Sequence, residues 1–173
     1  MEDILGKVVS IIFGCVLMFI VPIMLIAQKQ DTIAQSYMDN ATVEFVDNAR
    51  TSGKITPEAY EQLCNSIDAA HMICEIKITH SSSYTIPSDD VDANGVYKTT
   101  TYRYDRNKQD ILDAMYANRE SNDYPMKNGD YLKVEVKNIS PTFGTRMLRF
   151  FTLDTQDVTL FTSYGGFVGN NIQ

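Results

Sequence analysis

Twenty consecutive residues, Val8 to Ala27, carry no charge and a single hydroxyl. As a helix rising ~1.5 Å per residue this run reaches roughly 30 Å, the thickness of a bilayer's hydrocarbon core. The first expectation is therefore a transmembrane anchor over residues 1–27, with the lipid bilayer as partner. Two other uses of an apolar leader compete with it. A cleaved secretory signal wants a basic start, an apolar stretch of about 7–15 residues and a small-x-small cleavage site. Here Lys7 is the only basic side chain ahead of the run, and Gln28-Lys29-Gln30-Asp31 follows it without an Ala-x-Ala. A lipid-modified cysteine is suggested by Ile12-Phe13-Gly14-Cys15. Phe13 is large where that site wants a small residue, and a dozen apolar residues follow Cys15.

Charge bounds the partners. Of 15 basic and 22 acidic side chains, one Lys and two acids lie in the first 26 residues, so the remainder carries net −6. Nucleic-acid binding requires a basic footprint and is not expected. No polybasic lipid-binding cluster is present either. Lys7 and Lys29 flank the apolar run and do not decide its orientation. The Thr-, Ser-, Asn- and Tyr-rich acidic remainder favours a head outside the cytoplasm. Its length suits one domain with its own core.

Helical periodicity continues past the apolar run, since Ile33, Tyr37, Ala41, Phe45 and Ala49 recur every three to four residues. One helix from near Ile4 to Arg50 is predicted. Pro22 lies inside it, lacks an N–H and is expected to loosen the ladder, which a membrane helix tolerates. Gly53 suits the left-handed cap, so residues 28–56 read as the helix's extramembrane continuation and turn. The head, 57–173, opens on a second helix to about Ala70, with Thr56 as N-cap and Pro57 at its first position.

From Cys74 the period becomes two. Cys74, Ile76, Ile78 and His80 share one face of a strand, and Glu75, Lys77 and Thr79 the other. Val96 to Tyr104 reads as a second strand, joined through an Asn94-Gly95 hairpin turn. Lys108 to Asn118 fits a helix with Ile111, Leu112, Met115 and Tyr116 inward. Tyr131 to Ile139 alternates cleanly after the Asn128-Gly129-Asp130 turn. A short helix over Thr145 to Phe151 and a last strand over Val158 to Tyr164, before a Gly-rich tail, complete the pattern. The fold class is α+β, a long N-terminal helix packed on a small, mostly antiparallel sheet with short helices.

This arrangement, with the segments Val43-Glu44-Phe45-Val46-Asp47-Asn48-Ala49-Arg50-Thr51-Ser52-Gly53-Lys54-Ile55-Thr56-Pro57-Glu58-Ala59-Tyr60 and Tyr124-Pro125-Met126-Lys127-Asn128-Gly129-Asp130-Tyr131 and the terminal Tyr164-Gly165-Gly166, resembles type IV pilin-like subunits. In particular it is similar to the TadE-like pseudopilins of Gram-positive Tad-type pilus or secretion loci. The resemblance implies a non-enzymatic subunit of an extracellular filament or secretion pseudopilus. Its partners would be copies of itself or related pilin-like subunits, and the assembly machinery. The family's processing pattern is not reproduced: Gly6 can stand for the leader glycine, but the fifth residue beyond it is Ile11, not Glu. Glu2 or Asp3 pairing with Lys7 of a neighbour is the substitute considered, because an unpaired charge bordering lipid is costly. Gly6, Ser10 and Gly14, four residues apart, would let helices approach closely, although glycine is also simply common in membrane helices. The competing reading is a single-pass anchored binding module whose head never polymerises.

Other chemistry is thin. Asp90, Asp92 and Asn94, followed by Gly95, match the opening of a calcium loop, yet Lys98 and Thr101 stand where later ligands belong. A solvated hairpin tip explains the same residues. Cys64, His71, Cys74 and His80 hold zinc-type donors at a spacing no finger or ribbon uses. Cys64 and Cys74 are either core residues or a disulfide joining helix to strand. No hydrolase, phosphate-binding or metalloprotease motif is present, and no enzyme or cofactor is expected. Arg146, Met147, Leu148, Arg149, Phe150 and Phe151 form a short basic amphipathic patch. It suits an acidic neighbour or anionic lipid, or core packing with the arginines reaching outward.

Overall fold

The computed structural model describes residues 2–69, 72–91, 95, 97–117, 122–152 and 159–169. Helix α1 runs unbroken from Glu2 to Ser52, straight through Pro22. It ends where expected: Gly53 takes φ +69° and its N–H donates to the Ala49 carbonyl at 3.0 Å. A residue without Cβ enters that left-handed region at no steric cost. After the two-residue strand β1 (Lys54–Ile55) comes α2 (Pro57–Asp68). The Thr56 hydroxyl caps α2 by accepting the Ala59 N–H at 3.2 Å, with Pro57 in the first turn, where its missing N–H costs nothing.

Four antiparallel strands form the main sheet, in the order β3-β2-β5-β6, with β2 Cys74–Val91, β3 Tyr97–Asn107, β5 Tyr131–Asn138 and β6 Phe161–Phe167. Helix α3 (Lys108–Ala117) follows β3, β4 (Tyr124–Pro125) pairs with β1 in a separate small sheet, and α4 (Phe143–Thr152) precedes β6. The α+β layout is the one the sequence predicts.

The core forms where the second half of α1 lies against the sheet. Met38, Ala41, Phe45, Val46 and Ala49 on α1 pack with Ile78 on β2, Leu132, Val134 and Val136 on β5, Leu63 and Ile67 on α2, and Ile111 and Met115 on α3. Strand β5 alternates as its sequence demands, with Leu132, Val134 and Val136 fully buried and Tyr131, Lys133 and Glu135 half-exposed. Each such side chain contributes about 1.5–3 kcal/mol by leaving water. A one-residue slip of register would turn all three outward.

Four details depart from the sequence reading. Tyr116, expected inward, is exposed: Ile111 and Met115, four apart, already fill the buried stripe of α3, and the next residue lies about 100° round the helix. Strand β2 does not stop at His80 but continues to Val91. It carries β5 only as far as the Ser81–Tyr131 pair and is held beyond that by β3 alone. Pro87, which cannot donate to a ladder, sits where the β2–β3 register becomes irregular. Finally, β6 is displaced toward the C-terminus, so Gly165 and Gly166 belong to the strand rather than to a tail.

Candidate functional site

The first half of α1 is bare. An 18-residue window of it, long and apolar enough to cross a membrane, is wholly unburied by the rest of the protein. Ile11, Phe13, Met18 and Phe19 are exposed. No neighbouring atom approaches within 4 Å of where a Cβ would stand at Gly6 or Gly14. Gly6, Ser10 and Gly14 thus line an open stretch of helix, with Lys7 exposed beside them. Glu2 belongs to the same helix.

The second half of α1 is locked to the head at three levels. Nearest the apolar run, the Asp31 carboxylate accepts the Thr142 hydroxyl at 2.8 Å and the Gly144 N–H at 3.2 Å. It therefore sits at the N-terminus of α4, where a negative charge meets the positive end of the helix dipole. Thr142 adds the ordinary cap by accepting the Thr145 N–H at 3.1 Å. A Cβ at position 144 would collide with the Asp31 carboxylate, so glycine is what permits this approach. One level up, Gln35 donates to the Phe161 carbonyl at 3.2 Å. At the far end Arg50 donates to the Phe167 carbonyl at 2.8 Å and to Asp47 at 3.0 Å, and Tyr164 donates to Asp47 at 3.3 Å. From Gln35 to Arg50 a helix rises roughly 22 Å. From Phe161 to Phe167 a strand spans roughly 20 Å. Both ends of β6 are therefore clipped to α1 without distortion.

Gly165 and Gly166 make that clipping possible. A Cβ at 165 would lie 2.8 Å from the Leu132 carbonyl oxygen, and one at 166 would lie 2.5 Å from the Arg50 guanidinium carbon. Asp31, Arg50, Gly144 and this glycine pair do not read as a set in the sequence, because their partners lie on elements distant along the chain.

His80 is buried within a polar chain rather than in a metal site. Its Nε2 lies 3.0 Å from Asp130 Oδ2 and its Nδ1 lies 2.8 Å from Tyr124 Oη. A carboxylate only accepts, so Nε2 donates to Asp130, and Nδ1 is paired with the Tyr124 hydroxyl. Arg106 donates to Tyr124 at 3.3 Å, and the Lys127 N–H donates to Asp130 at 2.7 Å. Burial pushes the Tyr124 phenol up from its ordinary value, while Arg106 opposes the shift. The chain joins β2, β3, β4 and the turn before β5.

Among the described residues the other sequence candidates do not converge. Cys64 and Cys74 are both free thiols, so the disulfide considered between them is not formed. Cys64 lies on α2 beside Tyr60, and burial, followed by the nearby Asp68, pushes the Cys74 thiol up. Asp90 is exposed, with its N–H near the Ser88 hydroxyl at 3.3 Å, while Asp92, Asn94 and His71 lie outside the described residues. Among the described residues no three His, Cys, Asp or Glu side chains are grouped to hold a metal ion.

The hairpin expected around Asn94-Gly95 is longer than the sequence reading, because β2 extends to Val91. Beyond Ser81, β2 and β3 form a two-stranded arm roughly 30 Å long, of which every β3 residue is exposed. Tyr84 and Tyr102 stack across it at 5.6 Å, and Ile86, Tyr97 and Tyr104 are exposed along it. Comparison with protein-family models, curated proteins and solved structures finds no match to this chain.

Proposed function

We propose that this chain is a membrane-anchored structural subunit that packs side by side with copies of itself, or with related pilin-like subunits, into an extracellular filament or secretion pseudopilus. The observation that carries the reading is the division of one continuous helix: its first half is bare and apolar, and its second half is the spine of the head's core. A helix so divided can exchange lipid for neighbouring helices while the head rides with it as a rigid body. The locks at Asp31, Gln35 and Arg50 support this, since a pull on α1 passes directly into α4 and β6. Gly6, Ser10 and Gly14 supply a small-residue stripe for close helix approach. In this reading the head lies outside the cytoplasm, assembly machinery extracts the subunit, and no catalysis is involved.

The β2–β3 arm favours a second reading, an anchored binding module whose exposed tyrosines present a ligand surface. Electron microscopy of sheared cell-surface material with an antibody to the head separates the two. Labelled filaments support the subunit reading. Label confined to the cell membrane, with no filament in the sheared fraction, overturns it.

A further inference from the structure

We propose that α4 and Lys29 form a cationic collar that rests on the anionic phospholipid surface of the bilayer that α1 enters. The inference relies on α1 as a membrane anchor and not on polymerisation. Three observations carry it. First, α4 sits at a fixed height: its N-terminus is tied to Asp31, and the place of a Cβ at Gly144 is 3.5 Å from the Ala27 carbonyl, on the last residue of the apolar run. Whatever lipid surrounds that run therefore ends at α4. Second, Lys29 and Arg146 are both exposed there, and neither has an ion-pair partner among the described residues. Asp31, the acid that meets α4 among the described residues, is engaged at the α4 cap. Third, α4 contains Arg146 and Arg149 and no acid, in a chain of net charge −7. Among the described residues, α4 therefore sets positive charge beside the end of the apolar run. Residues 29 and 146 are brought to one level only by folding, so no contiguous basic segment reveals them.

Short helices of this composition lie at the boundary between headgroups and acyl chains, and their binding gains from anionic lipid. Each Lys or Arg near such a surface contributes about a fivefold gain in local binding. The collar would fix the height and tilt of the head over the membrane before any assembly step.

The test places the full chain in nanodiscs of phosphatidylcholine, with and without phosphatidylglycerol, and follows amide hydrogen exchange. The amides of 8–27 are expected to be protected in both lipids. Those of α4 are expected to exchange several-fold more slowly with phosphatidylglycerol, and high salt should erase the difference. Lys29→Gln with Arg146→Gln should also erase it, whereas Arg146→Lys should keep it. Equal α4 exchange in both lipids, with 8–27 protected, overturns the collar alone. Unprotected 8–27 amides overturn the anchor and the collar together. Protection of α4 that arises only in discs holding several copies overturns the lipid assignment in favour of an acidic neighbouring subunit.

Discussion

Replacing His80 by leucine nearly keeps the volume of the side chain and removes its two hydrogen bonds together with its edge-to-face contact with the Tyr124 ring. The structure gives the consequence. Asp130 Oδ2 keeps the Lys127 N–H but loses the imidazole, and the Tyr124 hydroxyl, buried with its ring, keeps Arg106 but loses the imidazole. Each buried polar group that loses its imidazole partner costs about 1–3 kcal/mol, so the loss is about 2–6 kcal/mol. For a domain of this size, where 1 kcal/mol moves the midpoint by about 2–4 °C, the melting temperature falls by roughly 10 °C. Ten tyrosines and no tryptophan make tyrosine fluorescence of the full chain in detergent a suitable probe. It follows the head rather than the apolar helix, which stays helical in detergent. Adding Tyr124→Phe and Asp130→Asn removes the hydroxyl and the buried charge, and should recover at least half of the loss through coupling among neighbours. A His80→Leu loss below about 0.5 kcal/mol, or a triple variant whose loss equals the sum of the three, would refute the view that these groups act as one chain.

Other expectations follow from the same contacts. Gly165→Ala forces a Cβ against the backbone of Leu132 and Lys133 and should cost about 1–3 kcal/mol, while Gly169→Ala, with open space around it, should be neutral in the same melt. Replacing residues 85–101 by Asn-Gly, which closes β2 on β3 at the Tyr84–Tyr102 pair, should leave the melting temperature nearly unchanged, because none of the described residues of the arm belongs to the core. Burial holds the Tyr124 phenol above its ordinary value of 10.0, so its contribution is fully present below that pH and is lost as pH rises through the folded value. Tyr124→Phe should therefore flatten the alkaline limb of a stability–pH curve.

Local physics wrote most of the fold into the sequence. Thr56-Pro57 and Gly53 fixed the ends of helices through capping, and Leu132, Val134 and Val136 fixed the face of β5 through alternation. Where a residue's role depends on a distant partner, local pattern misleads. Gly165-Gly166 reads as a tail until Arg50 and the Leu132 carbonyl are seen to occupy the space of their missing side chains. Asp31 reads as an ordinary acid after an apolar run until α4 arrives to be capped. Strand β3 is legible in its Thr- and Tyr-rich run, whereas the continuation of β2 beyond His80 is not, because the arm faces solvent and no hydrophobic alternation marks it. His80 was placed on the inner face of its strand, but its engagement with Tyr124 and Asp130 needed the fold.

The account turns on the first half of α1 being a contact between copies as well as a lipid anchor, and cysteine crosslinking within that helix tests it most directly. Cys15 is exposed there, and Ser10→Cys, in a chain with Cys64→Ala and Cys74→Ala, supplies a second thiol so that linkage can propagate. Oxidation in intact membranes should give a ladder of multimers that survives dilution with excess lipid. Monomer alone, or dimers that vanish on dilution, would contradict the assembly of this chain through its apolar helix.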